Sequence, residues 1–136
     1  MSGTAGLTKD AGWQIGVTRV VPFPADLVWQ VLIEQPDLWL GAGASLPRGR
    51  GEQWVNDAGD RGEMRSFRDD HRLRMTVQPN GRPEPTVLQL SVTETRTGAS
   101  IRMHQERLEN AEEREMQRQH WQRVIDKIVD TLDREL

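Results

Sequence analysis

Residues 118–136 read "RQHWQRVIDKIVDTLDREL", and the fold follows from what this segment must lie against. Its apolar residues fall at Trp121, Val124, Ile125, Ile128, Val129 and Leu132, steps of three and four that draw one stripe along a helix of 3.6 residues per turn. The turns before it, "AEEREMQRQ" at 111–119, offer only Ala111 and Met116. One helix is therefore expected to pack tightly at its C-terminal end and to cover a looser region, a cavity, at its N-terminal end. Asn110 stands where the helix should open, and Glu113 three residues on completes a capping-box-like pattern.

The surface that receives this helix comes from what precedes it. Residues 1–12 are small and polar and read as a flexible tail, so the folded domain is expected over 13–136. "WQIGVTRV" at 13–20 sets Trp13, Ile15 and Val17 against Gln14, Gly16 and Thr18, the period of a half-buried strand. The period then changes: after Pro24, the residues Leu27, Val28, Val31 and Leu32 form a helical face. Pro36 ends that helix, and "PDLWLG" allows a second short one. Residues 41–62 are rich in glycine and turn residues and hold one short strand around Trp54. Strand-like runs follow at 63–68, 72–78, 86–94 and 99–107, joined by "DDH", "PNGRPEP" and "TRTG", which carry the turn chemistry of an antiparallel meander. Strands run together with helices at the ends define an α+β class with the helices on one face of the sheet.

Composition narrows the function. The chain has 136 residues, one domain's worth. Leu, Ile, Val and Phe make up about 22% of it, just above the level of disordered chains, so the core is modest. Five Trp with two Phe and no Tyr put most of the aromatic area into the bulkiest side chain. A net charge of −3 and the lack of a Lys/Arg-rich run argue against nucleic acid as a partner. Zero cysteines exclude disulfides and thiolate metal sites and fit a cytoplasmic protein. No signal region or apolar run of membrane-spanning length is present, so no membrane insertion is expected.

This order, with Trp at particular places, resembles the SRPBCC superfamily, the helix-grip fold of START domains and birch-pollen-allergen-like proteins. Within it the chain is most similar to bacterial proteins related to the activator of heat-shock protein 90 ATPase. The residues that carry the resemblance are "PADLVWQVL", "DLWLG", "GEQW", Gly62, "TGASI" and "HWQRVIDKI". It implies a curved antiparallel sheet of about six strands wrapped around a long C-terminal helix, with two short helices between the first two strands and a largely apolar cavity between sheet and helix. Three positions depart from the pattern: Gln105 and Arg107 stand where many relatives carry His and Gly on the last strand, and His120 stands in another glycine place.

The candidate cavity residues are Trp39, Trp54, Phe67, Met75, Met103, Gln105, Met116, His120 and Trp121. Met adapts to varied shapes and Trp adds a donor, a combination suited to an apolar ligand with one or two polar groups. Trp29 and Trp121 are expected chiefly as core. Ile101, Met103 and Gln105 are expected to face inward and His104 outward, with His71 solvated in its turn. Asp57, Asp60, Glu63, Asp69 and Asp70, interleaved with Arg61, Arg65, Arg68, Arg72 and Arg74, are expected to form cross-strand ion pairs on the convex face. No metal-ligand pair, nucleophile elbow or dinucleotide loop is present, so no catalytic residue, metal or cofactor is assigned. The leading expectation is a binding protein for a hydrophobic or aromatic small molecule, as a monomer or homodimer. The alternatives are a protein-interaction module, co-chaperone-like and linked to stress response, and a cyclase- or hydrolase-like enzyme.

Overall fold

The computed structural model describes residues 12–68 and 71–135 and the backbone of 7–8. The rest of the expected tail, residues 1–6 and 9–11, lies outside the described residues, as do Asp69, Asp70 and Leu136. The elements are β1 (Leu7–Thr8), β2 (Gly12–Val21), α1 (Ala25–Glu34), α2 (Asp37–Leu40), β3 (Gln53–Val55), β4 (Arg61–Arg68), β5 (Arg72–Val77), β6 (Thr86–Thr95), β7 (Gly98–Leu108) and α3 (Ala111–Glu135). All strands pair antiparallel in one sheet of order β1-β2-β7-β6-β5-β4-β3. This is the expected α+β helix-grip architecture, with the two-residue β1 added at one edge.

Alternation along the strands decides what the sheet shows to the helices. Leu73 and Met75 of β5, Leu88 and Leu90 of β6, and Ile101 and Met103 of β7 are all fully buried, while the residues between them face outward. The C-terminal stripe of α3, Trp121, Val124, Ile125, Ile128 and Leu132, lies in the same core. Burial of such side chains contributes roughly 1.5–3 kcal/mol each, which holds a helix whose first turns are polar. Its N-terminus is capped as the sequence indicates: Asn110 Oδ1 accepts from Glu113 N–H at 2.8 Å. The Glu113 carboxylate reaches one residue further back than in a standard box and accepts from Glu109 N–H at 2.8 Å.

The helical segment before the sheet shows why a tryptophan sits at position 39. In α1 the carbonyl of Leu32 would accept from the N–H four residues on, but that residue is Pro36, which has none. The indole Nε1–H of Trp39 supplies the missing bond at 3.0 Å. Trp54 does comparable work on the sheet, donating to the carbonyl of Thr76 at 3.1 Å across Gly62. A Cβ on Gly62 would lie 1.8 Å from the Thr76 carbonyl oxygen and 2.4 Å from Trp54 Nε1, so this position admits only glycine. Gly62→Ala is expected to cost about 2–4 kcal/mol by forcing β4 off β5 or breaking the indole bond, measurable by denaturant unfolding.

Two expectations are corrected. His71 is only partly exposed: its ring packs tilted against Trp29 at 5.6 Å, and its Nε2 lies 2.9 Å from Asp26 Oδ1 in the first turn of α1. A backbone φ of 69° at this turn swings the side chain onto the helix. The interleaved charges also do not form a cross-strand ladder among the described residues. Glu63 meets Arg65 on its own strand at 3.3 Å, Asp60 is held by Asn56 and the backbone of Asn80, and Arg74 crosses to Glu106 instead. A bulge between Met64 and Ser66 shifts the β4–β5 register, and this breaks the spacing that the linear sequence suggests.

Candidate functional site

The interior beneath α3 is closed by a chain of hydrogen bonds. Trp121 Nε1–H donates to Gln105 Oε1 at 2.7 Å, Gln105 Nε2–H donates to Thr86 Oγ1 at 2.8 Å, and Thr86 Oγ1–H donates to the Val77 carbonyl at 2.7 Å. The indole, an obligate donor, fixes the amide so that its oxygen faces Trp121. All three side chains are buried. Gln105 thus accepts from Trp121 and donates to Thr86, with its bonds directed to the protein itself.

Beside this network lies an open pocket of about 650 Å³ between α2, the loop that follows it, β3 and the first half of α3. Trp39, Trp54 and Trp121 form its inner wall, with Leu40 and Val77, and Met116 stands over it, 60% exposed. The rim is polar, with Asp57, Asp60, Gln117, His120 and Arg123. Asn56 braces this rim: its Nδ2 donates to the Leu40 carbonyl at 2.8 Å and to Asp60 Oδ2 at 2.9 Å, and its Oδ1 accepts from Asp60 N–H at 3.0 Å. The wall is therefore built from buried indoles that are each hydrogen-bonded to the protein, Asn56 and Asp60 brace one side of the rim, and Asp57, His120, Arg123 and Met116 are exposed around the mouth.

Of the nine residues singled out in the sequence, five meet here: Trp39, Trp54, Met116, His120 and Trp121. Met75, Met103 and Gln105 lie deeper, at 0%, 0% and 1% exposure, and the core fills around them. Phe67 lies elsewhere, 5.9 Å from Trp29 and with the Arg48 guanidinium 5.8 Å from its ring centre. The sequence reading missed Asn56 and Arg123, and placed Asp57 and Asp60 in the expected ion-pair ladder and not at a pocket rim.

His120 sets its ring edge-on to Trp121 at 4.8 Å. The surrounding protein lowers its pKa below the ordinary histidine value by withholding water, and Arg123 and Lys127 add to this against the opposing pull of Asp60. In its neutral form the ring offers one donor and one acceptor at the exposed rim. His104 faces outward as expected and is bonded to Gln14 Oε1 at 2.8 Å. Burial is the main cause of its lowered pKa. Among the described residues no group of acidic, His or Cys side chains is placed to hold a metal, and no helix is long and apolar enough to cross a membrane.

The helix-grip fold places the chain in the SRPBCC class. The sequence profile described as "Activator of Hsp90 ATPase homolog 1-like protein" matches residues 22–133, and the chain belongs to that family. Similar solved structures include protein MLL2253 from Mesorhizobium loti, at 20% identity and TM-score 0.77 over 90% of this chain and 98% of that one. DynU16, a protein in the dynemicin biosynthetic locus, aligns at 16% identity and TM-score 0.77 over 88% of this chain and 47% of that one. An HSP90 activator from Plasmodium falciparum, PFC0360w, aligns at 10% identity and TM-score 0.60 over 71% and 74%. No curated protein sequence matches the chain.

Two outcomes follow. Gln105→Leu leaves the Trp121 and Thr86 side chains without their partner and is expected to cost about 1–3 kcal/mol, read from chemical unfolding. Because His104 and His120 have folded pKa values below the ordinary 6.5, the unfolded chain takes up protons first as pH falls. Their neutral forms leave stability undiminished above pH 6.5, and it declines as pH drops through and below that value. Melting temperatures measured between pH 7.5 and 5.5 should fall, and less steeply in His120→Gln.

Proposed function

We propose that the protein binds a small molecule with an aromatic or apolar body and one or two polar groups, held in the pocket between the Trp39–Trp54–Trp121 wall and α3. The observation that carries this reading is the contrast between a sealed interior and a braced open pocket of about 650 Å³, within the usual range for small-molecule sites. The indole N–H groups of the wall are already committed to Leu32, Thr76 and Gln105, so the wall offers ring surface. Hydrogen bonding falls to the rim, to His120, Gln117 and Arg123.

The likeness to DynU16 is compatible with a role near small-molecule chemistry. The HSP90 activator likeness supports a second reading, a protein-interaction module, and the charged outer face of the sheet is the feature that favours it. The two separate cleanly by experiment.

A thermal-shift screen against fatty acids, sterols, flavonoids and aromatic polyketides tests the pocket. A compound at about a hundred times its Kd is expected to add roughly 2.7 kcal/mol to stability. Met116→Trp, which places a larger ring over the pocket, should abolish that shift and leave the unliganded fold intact. An equal shift in wild type and Met116→Trp would place the ligand elsewhere. Met103 is unsuited to the same test because enlarging it would overpack the core.

A further inference from the structure

The outer face of the sheet, remote from the pocket under α3, carries arginines whose positions the backbone itself is bent to provide. The β2–β7 pairing passes from Trp13↔Leu108 to Ile15↔Gln105, which leaves an extra residue on β7, and Arg107 sits in that bulge at φ 68°. A left-handed bulge position is normally taken by glycine, and an arginine there costs about 1 kcal/mol of strain. The β4–β5 pairing passes from Met64↔Met75 to Ser66↔Arg74, so Arg65 is the extra residue of a second bulge. Both bulged arginines, with Arg74, line one open groove of about 600 Å³ whose remaining wall is Thr76, Glu84, Pro85 and Val87, so three guanidinium groups face a single carboxylate there. Bulges re-aim side chains, and here two of them direct arginines to a common place.

Cationic groups continue along the face. Arg72 and Arg102 are opposite the same residue, Ser91, on its two sides, which sets them two strands apart, roughly 10 Å. The Arg102 guanidinium lies over Gly16, where a Cβ would be 3.8 Å from its Nη2, so no side chain shields it. Among the described residues Arg72, Arg102 and Arg107 make no ion pair, whereas Arg74 is matched by Glu106 and Arg65 by Glu63.

We propose that this face is a docking surface for a carboxylate-rich segment of a partner protein, anchored in the groove at Arg65 and Arg107 and continued across Arg72 and Arg102. Planar guanidinium forks match carboxylates in pairs. The arginines are spread over several strands, which suits several acidic side chains on one chain and not a single small anion. The face presents no exposed aromatic ring on β5, β6 or β7 for stacking bases, and the protein as a whole is negative; both weigh against a nucleic acid.

Fluorescence anisotropy of a fluorescein-labelled oligoglutamate at low salt tests the proposal. The peptide should bind, and its affinity should fall steeply as salt rises. Arg107→Gly suits the φ of 68°, so it should not lower the melting temperature, yet it should weaken the peptide about tenfold. Arg72→Gln with Arg102→Gln should weaken it about as much, and Met116→Trp not at all, which separates this surface from the ligand pocket. Lack of binding, unchanged affinity in Arg107→Gly, or equal or tighter binding of an oligothymidine of the same length would overturn the proposal. So would self-association by ultracentrifugation that the arginine changes abolish, since the occupant would then be a second copy of the chain.

Discussion

An indole N–H cannot be buried without an acceptor, and at Trp121 that requirement organises the molecule. The residue brings the largest apolar surface of the α3 stripe into the sheet, and it can do so because Gln105 turns its amide oxygen to meet it. Gln105 in turn must place its own N–H, which finds Thr86, which finds the Val77 carbonyl. One bond thus fixes the rotation of α3 and its height over β5, β6 and β7. The helix C-terminal to Trp121 then lays its apolar stripe into the core, with Asp126 and Glu135 tying its outer side to Arg19 and Gln35, and the helix N-terminal to it lies outside the core.

That release creates the pocket. Met116, Gln117 and His120 lie within about one and a half turns before Trp121 and hang over the space between α3 and the α2–β3 region, where Asn56 braces the opposite rim. Arg82 secures the first turn from the other side: its Nε and Nη2 meet the two oxygens of Glu113 at 3.0 and 2.9 Å, and this interaction lowers the pKa of Glu113. The polar half of α3 is therefore anchored at its start by Arg82 and at its middle by Trp121, with the segment between them free to shape a pocket mouth. Arg82 also donates to the carbonyl of Arg107 at 3.2 Å, which links the start of α3 to the end of β7.

Periodicity made most of the fold legible. The stripe in α3, the alternation in β2 and β5–β7, the proline stop at Pro36 and the Asn110 cap all act through neighbours within a few residues, and each element falls within a residue or two of its expected place. The inward direction of Gln105 was equally readable, because a strand alternates. What was not readable depended on distant partners. Gln105 reads as a ligand contact because its acceptor role needs Trp121, sixteen residues away and on another element. Phe67 reads as a cavity residue because its tilted packing against Trp29 is a tertiary event. The expected ion-pair ladder failed for the same reason: a one-residue bulge re-registers every charge beyond it.

The most direct test of the account follows the tryptophan indole protons by NMR hydrogen exchange, with and without a bound ligand. A sealed interior predicts that the Trp39, Trp54 and Trp121 indole protons exchange slowly in the free protein and stay protected when ligand saturates the pocket beside them. Rapid exchange of the Trp121 proton, or loss of its protection on ligand binding, would mean that the Gln105 bond opens and that the ligand enters the core.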